Sequence, residues 1–179
     1  MSDNTRVLVG YATAAGSTAD VAARMAAVLQ AAGCDVVCRP VGPDLDPAEF
    51  DAWVLGSAVH GMSWLPTALD FLRRAALSGD RPLWCFSVGG LAPRDRRSRW
   101  LAAKETARIQ QAFALTPRDH RLFAGVVVMA GVPWFGQVFW RSAGGRPGDQ
   151  RDWPAIEAWA GAIAADLAQL RATRPQKKR

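Results

Sequence analysis

The sequence has few of the residues that build disulfides and metal sites. Among its 179 residues there are three cysteines and two histidines, and no two cysteines form a CxxC pair. No HExxH segment and no Ser-His-Asp arrangement is visible, so we predict neither a metal site nor a nucleophilic centre. An odd cysteine count without paired spacing predicts buried, reduced thiols in a cytoplasmic protein.

The sequence predicts neither a signal peptide nor a membrane span. Asp3 and Asp20 interrupt the first 30 residues, where a signal peptide would need a continuous apolar segment. The uncharged run at 122–140 reaches the length of a span, but glycines and a proline interrupt it. Its second half carries four large aromatic residues, Trp134, Phe135, Phe139 and Trp140. They indicate either core packing or an apolar patch for a membrane surface, a quinone or a partner, so we predict a cytoplasmic protein with peripheral membrane contact.

Acidic residues are outnumbered, and the net charge is +6. The excess lies at 94–99, where four arginines cluster, and in residues 173–179, which we predict to be a disordered basic tail. Such clusters suit an anionic partner or are simply solvated. No helix-turn-helix, zinc or aromatic RNA-binding signature accompanies them, so we predict no nucleic-acid partner.

Strand and helix patterns alternate along the whole chain. Apolar runs predict strands at 7–12, 35–41, 52–59, 82–88 and 122–129, and helical spacing predicts helices at 18–32, 65–77, 100–115 and 152–172. Most of the strand runs are continuously apolar, which is typical of a parallel sheet covered on both faces. We therefore predict one doubly wound α/β domain over residues 1–179, with ligands at the carboxyl ends of the strands.

Residues 6–18 resemble a strand that leads into a phosphate-binding turn. An apolar run ends in a turn with hydroxyl groups and one glycine, and a helix starts directly afterwards. Backbone N–H groups at a helix start favour a phosphate, although the same pattern describes an ordinary capped helix. The predicted phosphate-binding residues are Thr13, Ala14, Ala15, Gly16, Ser17 and Thr18.

Two more loops at the same predicted edge are rich in small residues. Glycines let a backbone approach a flat ligand closely and present its N–H and C=O groups. One turn for a phosphate and two loops for a planar ring match FMN. The predicted ring-binding residues are Ser57, Ala58, Val59, His60 and Gly61 in one loop and Ser87, Val88, Gly89, Gly90 and Leu91 in the other.

These motifs resemble the flavodoxin-like family, and more narrowly the quinone-dependent, flavodoxin-type protoporphyrinogen oxidases. Thr13, Gly16 and Thr18 match the phosphate loop of flavodoxins, while Ala15 departs from it by losing one hydroxyl. The narrower resemblance is carried by short segments at 50–51, 56–58, 86–88, 123–125, 144–145 and 152–153, with Pro66 and Leu69 between them. The glycines at 61, 89 and 90 depart from its pattern.

The resemblance implies a three-layer sandwich with a five-stranded parallel sheet of order 2-1-3-4-5 and helices on both faces. It also implies bound FMN that oxidises an anionic porphyrinogen and passes electrons to a quinone. Arg94, Arg97 and Arg141 are then candidates to attract substrate carboxylates. The alternatives are an electron-transfer flavodoxin that works with a redox partner protein, and a binding module that has lost its cofactor.

Two further residues have two interpretations each, and a third has one. His60 is either a catalytic residue that hydrogen-bonds the ring or relays a proton, or a partly exposed loop residue. Trp64 either stacks on the ring or belongs to the core. His120, which precedes the fifth predicted strand, is expected at the surface.

Overall fold

The computed structural model describes residues 5–60, 63–89, 96–127 and 148–173. Several predicted site residues lie outside this part of the chain: Gly61, Gly90, Leu91, Arg94, Trp134, Phe135, Phe139, Trp140 and Arg141, together with the tail beyond 173 and the side chains of His60 and Arg97. What the sequence predicts for them stays a prediction.

Strands and helices alternate as the sequence patterns predict. The elements are β1 (Arg6–Ala12), α1 (Ser17–Ala31), β2 (Asp35–Pro40), a short 3-10 helix (Pro47–Glu49), β3 (Ala52–His60), β4 (Ser63–Trp64), α2 (Pro66–Leu77), β5 (Leu83–Gly89), α3 (Arg96–Phe113), β6 (Asp119–Ala124), β7 (Val126–Val127), β8 (Gly148–Asp149) and α4 (Trp153–Thr173).

Five parallel strands form the central sheet in the order β2-β1-β3-β5-β6. This is the predicted order 2-1-3-4-5, because β5 and β6 are the fourth and fifth strands of the parallel set. The short strand β4 extends the sheet by pairing antiparallel with the end of β3, and β7 pairs with β8 in a separate ribbon.

Two apolar layers, one on each face of the sheet, make up the core. Along β1, Val7 and Val9 pack towards α1 and α4, whereas Leu8 packs on the opposite face with α2 and α3. Because successive side chains of a strand point to opposite faces, a strand buried on both sides needs an unbroken apolar run. The apolar run in β1 therefore follows from its position in the middle of the sheet.

The fifth parallel strand lies earlier in the chain than predicted. The run at 122–129 is divided at Gly125, with β6 ending at Ala124 and Val126 pairing with Asp149 in the ribbon. Since β6 is an edge strand, it tolerates exposed Arg121 near its middle. An apolar run is therefore a poor guide to its position.

The cysteine prediction is correct in part. All three thiols are free, but Cys38 is exposed, while Cys34 and Cys85 are buried. Burial raises the pKa of the Cys85 thiol, which therefore stays protonated at neutral pH.

Within the described residues, no helix is long and apolar enough to span a bilayer.

Candidate functional site

The carboxyl ends of β1, β3 and β5 lie side by side and form one edge of the sheet, across the ends of its strands. The chain runs outward from β1 to β2 on one side and returns to β3 on the other, so the strand order reverses between β1 and β3. Ligands of open α/β sheets bind outside such a reversal. The predicted phosphate turn follows β1 directly. The described residues of the two predicted ring loops are strand rather than loop, because β3 continues to His60 and β5 to Gly89.

The turn between β1 and α1 is preformed. The Gly16 N–H donates to Thr13 Oγ1 at 2.9 Å, and the Asp20 N–H donates to the Gly16 carbonyl at 3.2 Å. Gly16 stands at the N-cap with φ +92°, so no side chain caps the helix. The N–H groups of the first helical turn have no carbonyl one turn earlier, which leaves them available to an anion.

A buried hydroxyl at this helix start has no partner among the described residues. Thr18 is fully buried, and its Oγ1 makes no hydrogen bond to any of the described residues. An unsatisfied buried hydroxyl costs about 1–3 kcal/mol, which a ligand oxygen would offset. A Cβ added at Gly16 would meet nothing within 4 Å, so the space beside the turn is open. The turn therefore suits a phosphate by both its chemistry and its shape.

The end of β6 lies against the same turn. A Cβ at Gly125 would come within 3.1 Å of Ser17 Oγ and 3.0 Å of Val88 Cγ1. The Gly125 N–H also donates to the Gly89 carbonyl at 2.8 Å. Gly125 thus lies between the start of α1 and the end of β5, and a side chain at this position would push them apart.

Two of the predicted ring-binding residues use their side chains internally. Ser57 Oγ accepts a hydrogen bond from the Leu65 N–H at 3.0 Å, and Ser57 is fully buried. Ser87 Oγ, also buried, accepts from the indole N–H of Trp64 at 2.8 Å. These serines connect β3 and β5 to the segment at 64–65, so a ligand at this edge would meet their backbone groups.

His120 is buried inside β6, and the prediction that it lies at the surface is wrong. Its Nε2 is 2.9 Å from Ser87 Oγ, and its Nδ1 is 2.9 Å from Thr106 Oγ1 in α3. Its ring also meets the Trp64 ring edge-on, with the centroids 5.7 Å apart. Trp64 itself is 2% exposed, so it belongs to the core.

The donors and acceptors of this network form one consistent chain. The Trp64 indole can only donate to Ser87, which leaves the serine proton for His120 Nε2 and the imidazole proton on Nδ1, facing Thr106. Burial lowers the pKa of His120 from 6.5 to about 4, although the neighbouring charge of Asp119 acts in the opposite direction. The imidazole is therefore neutral at physiological pH.

We predict that the neutral state of His120 makes the stability depend on pH. Because folding lowers the pKa of this base, its contribution to the free energy of unfolding is complete above pH 6.5, which is its pKa in the unfolded chain. The contribution is lost as the pH falls towards 4. The loss across this interval should reach about 3 kcal/mol, measured by urea unfolding at successive pH values.

His120→Gln is the matched variant, since an amide retains donor and acceptor groups but does not titrate in this range. It should remove most of the slope between pH 6.5 and 4. The neighbouring charged groups, Asp119 with Arg121 and Glu105 with Arg108, remain in both proteins. An equal slope in the two proteins would show that His120 is not responsible.

The sequence patterns thus predicted the turn between β1 and α1, where phosphate binding stays a prediction, but missed the network behind the ends of β3 and β5. A histidine in a polar segment such as 117–121 gives no sign of burial, because the predicted strand begins at 122, whereas β6 begins at Asp119 and includes the histidine. Among the residues that the structure covers, no group of three His, Cys, Asp or Glu side chains could hold a metal ion.

Comparisons with known proteins agree with this architecture. A family model described as a flavodoxin domain matches residues 8–140. No curated protein sequence matches the chain significantly.

Solved structures resemble the fold over nearly the whole chain. A flavodoxin from the domain Archaea superposes with a TM-score of 0.56 at 13% identity, covering 91% of this chain and 99% of its own. The flavodoxin of Streptococcus pneumonia TIGR4 gives 0.58 at 15% identity, covering 90% and 99%. The flavodiiron protein from Giardia intestinalis gives 0.56 at 14% identity and covers 92% of this chain, but only 35% of its own length is matched.

The chain therefore matches nearly the whole length of the archaeal flavodoxin and about a third of the flavodiiron protein. Identities this low establish the shared fold, and the family model adds the sequence relationship over residues 8–140. The chain belongs to the flavodoxin domain family.

Proposed function

We propose that the protein is an FMN-binding electron-transfer flavoprotein. The buried Thr18 hydroxyl, which lacks a partner among the described residues at an uncapped helix start, is the observation that carries this proposal. It indicates an oxygen-rich ligand at the edge of the sheet where small-residue loops also converge. FMN, the cofactor that the resemblance to flavodoxins implies, combines a terminal phosphate with a flat ring.

The residues present fit such a ligand. The N–H groups that begin α1 and the Thr18 hydroxyl would hold the phosphate, and Ala15 leaves this task more to the backbone than a hydroxyl residue would. Backbone groups of Ser57–Val59 and Ser87–Gly89 would border the ring. When bound, FMN supplies the reversible uptake of electrons, and the protein supplies placement and electrostatics.

The net charge of the chain indicates the charge of a redox partner protein. Flavodoxins resemble one another in being acidic and docking on basic proteins, whereas this chain carries a net charge of +6. Complementary charge steers association, so we propose an acidic redox partner protein.

Titration with FMN and with riboflavin tests the proposal. We expect the flavin fluorescence to be quenched at one FMN per chain, with riboflavin binding more weakly because it lacks the phosphate. A protein that is colourless when purified and binds neither compound would contradict the proposal. It would favour the alternative of a binding module without a cofactor.

A narrower proposal is that the bound flavin oxidises protoporphyrinogen with a quinone as acceptor. It is supported by the sequence resemblance to the flavodoxin-type oxidases and by the basic charge, which suits an anionic tetrapyrrole. The shared fold is common to carriers and oxidases and does not favour one over the other. His60, Arg94, Arg97 and Arg141 remain the candidate residues for this activity, at the inner face of a membrane.

Two assays on the FMN-loaded protein separate carrier from oxidase. Reduction by a ferredoxin-type reductase that is sensitive to salt, without turnover of protoporphyrinogen, identifies a carrier. Anaerobic oxidation of protoporphyrinogen with a quinone present identifies an oxidase.

A further inference from the structure

Arg151 forms a compact ionic cluster with the start of α1. Its Nη1 lies 2.6 Å from Asp20 Oδ2, its Nη2 lies 2.6 Å from Asp149 Oδ2, and its Nε lies 2.8 Å from Asp149 Oδ1. The arginine side chain is 13% exposed, whereas the side chain of Asp20 is 61% exposed. One guanidinium thus bridges two carboxylates that come from opposite ends of the chain.

An aromatic ring fixes this guanidinium in place. Its central carbon lies 4.6 Å from the centroid of the Trp153 ring, and the guanidinium of Arg24 lies 5.1 Å from the same centroid. Arg24 also pairs with Glu157 at 3.0 Å. Because ring stacking and a forked ion pair act together, Arg151 has little freedom to leave Asp20.

The cluster lies beside the phosphate turn. Asp20 is in the first turn of α1, three residues after Ser17. The residue before Arg151, Gln150, donates its N–H to the Gly125 carbonyl at 3.3 Å, and Gly125 is the position that packs against Ser17. The segment at 150–151 therefore runs next to the helix start.

The charge of Asp20 is unfavourable for anion binding. A carboxylate in the first helical turn interacts well with the helix dipole, but it repels an anion that seeks the same end of the helix. With Arg151 present, the cluster of Asp20, Arg151 and Asp149 has a net charge of −1. Without Arg151 it would present two uncompensated negative charges.

We propose that Arg151 is a positioning residue that offsets the Asp20 charge and so sets the preference of the site for FMN over riboflavin. This inference rests on the proposed FMN binding. It assigns to the segment before α4 a role at a turn more than 130 residues away in the sequence.

The test compares the affinities of single and double variants for FMN and riboflavin. Arg151→Gln should weaken FMN binding about tenfold at low salt. The phosphate dianion would lose the attraction of one nearby positive charge, in surroundings that are partly exposed to solvent. Riboflavin, which has no phosphate, should bind as it does to the parent protein. Adding Asp20→Asn to Arg151→Gln should restore most of the FMN affinity.

Arg118→Gln is the matched control. Arg118 makes a forked ion pair with Asp166, at 2.8 and 3.0 Å, and its guanidinium carbon lies 5.8 Å from the centroid of the Trp84 ring. It lies at the amino ends of the strands, opposite the proposed site, where its backbone N–H donates to the carbonyl of Leu83 at the start of β5. This variant should leave both affinities unchanged.

Three results would overturn the inference: unchanged FMN affinity in Arg151→Gln, an equal loss of both ligands, or no recovery in the double variant. An equal loss would show that Arg151 acts only on the structure of the segment. A parent protein that binds neither ligand would instead refute the proposed function itself.

Discussion

Gly16→Val is expected to weaken FMN binding by roughly a hundredfold while changing riboflavin binding little. Gly16 has φ +92°, a left-handed conformation that a β-branched residue adopts only under strain. A valine would relax by leaving this conformation, which withdraws the Gly16 N–H from Thr13 and turns the neighbouring N–H groups away from the phosphate. Binding would then have to restore the strained turn at a cost of up to about 3 kcal/mol.

Gly79→Val separates loss of binding from backbone strain in general. Gly79 has φ +97°, and a Cβ there would also meet nothing within 4 Å, but it follows α2 and precedes β5 at the other edge of the sheet. It should destabilise the fold by a similar amount and leave FMN affinity intact, as measured by urea unfolding and fluorescence titration. Equal FMN affinity in Gly16→Val and the parent protein would refute the role of the turn.

The strand, turn and helix that carry the predicted phosphate site could be predicted because their determinants are local. Thr13, Gly16 and Thr18 lie within six residues, and a strand, a turn and a helix follow one another directly. The doubly wound parallel sheet was predictable as well, from continuous apolar runs joined by helical crossovers, and the family resemblance implied the order of its strands. In both cases the sequence pattern and the physical cause coincide.

Contacts between distant segments left no such pattern. Arg151 meets Asp20 across 131 positions, and Ser87 meets His120 across 33, in each case through a pairing of strands or helices that composition does not specify. Ser57 and Ser87 also show that a small polar residue in a predicted ligand loop can be satisfied inside the protein. The sequence predicted which strand ends carry small residues, but not which of their atoms face outward.

Gly56→Ala is expected to destabilise the protein by about 3 kcal/mol, although it adds only one methyl group. Gly56 in β3 sits beside Phe86 in β5, and a Cβ on Gly56 would lie 2.0 Å from Phe86 Cζ. Phe86 is fully buried and packs edge-on against Trp159, with the centroids 6.3 Å apart. The ring cannot move aside without disturbing the layer beneath α1 and α4, so the strand needs a glycine here for packing.

A double-mutant cycle identifies the Phe86 ring as the cause. On a Phe86→Leu background, which removes the aromatic ring, the cost of Gly56→Ala should fall to about 1 kcal/mol. Gly161→Ala, on the exposed side of α4 with nothing within 4 Å of its Cβ, should instead stabilise the protein by up to about 1 kcal/mol. If Gly56→Ala costs the same with either residue at position 86, the clash with the ring does not explain the glycine. The presence of a glycine at position 56 would then have to be explained by the ligand proposed at the carboxyl ends of the strands.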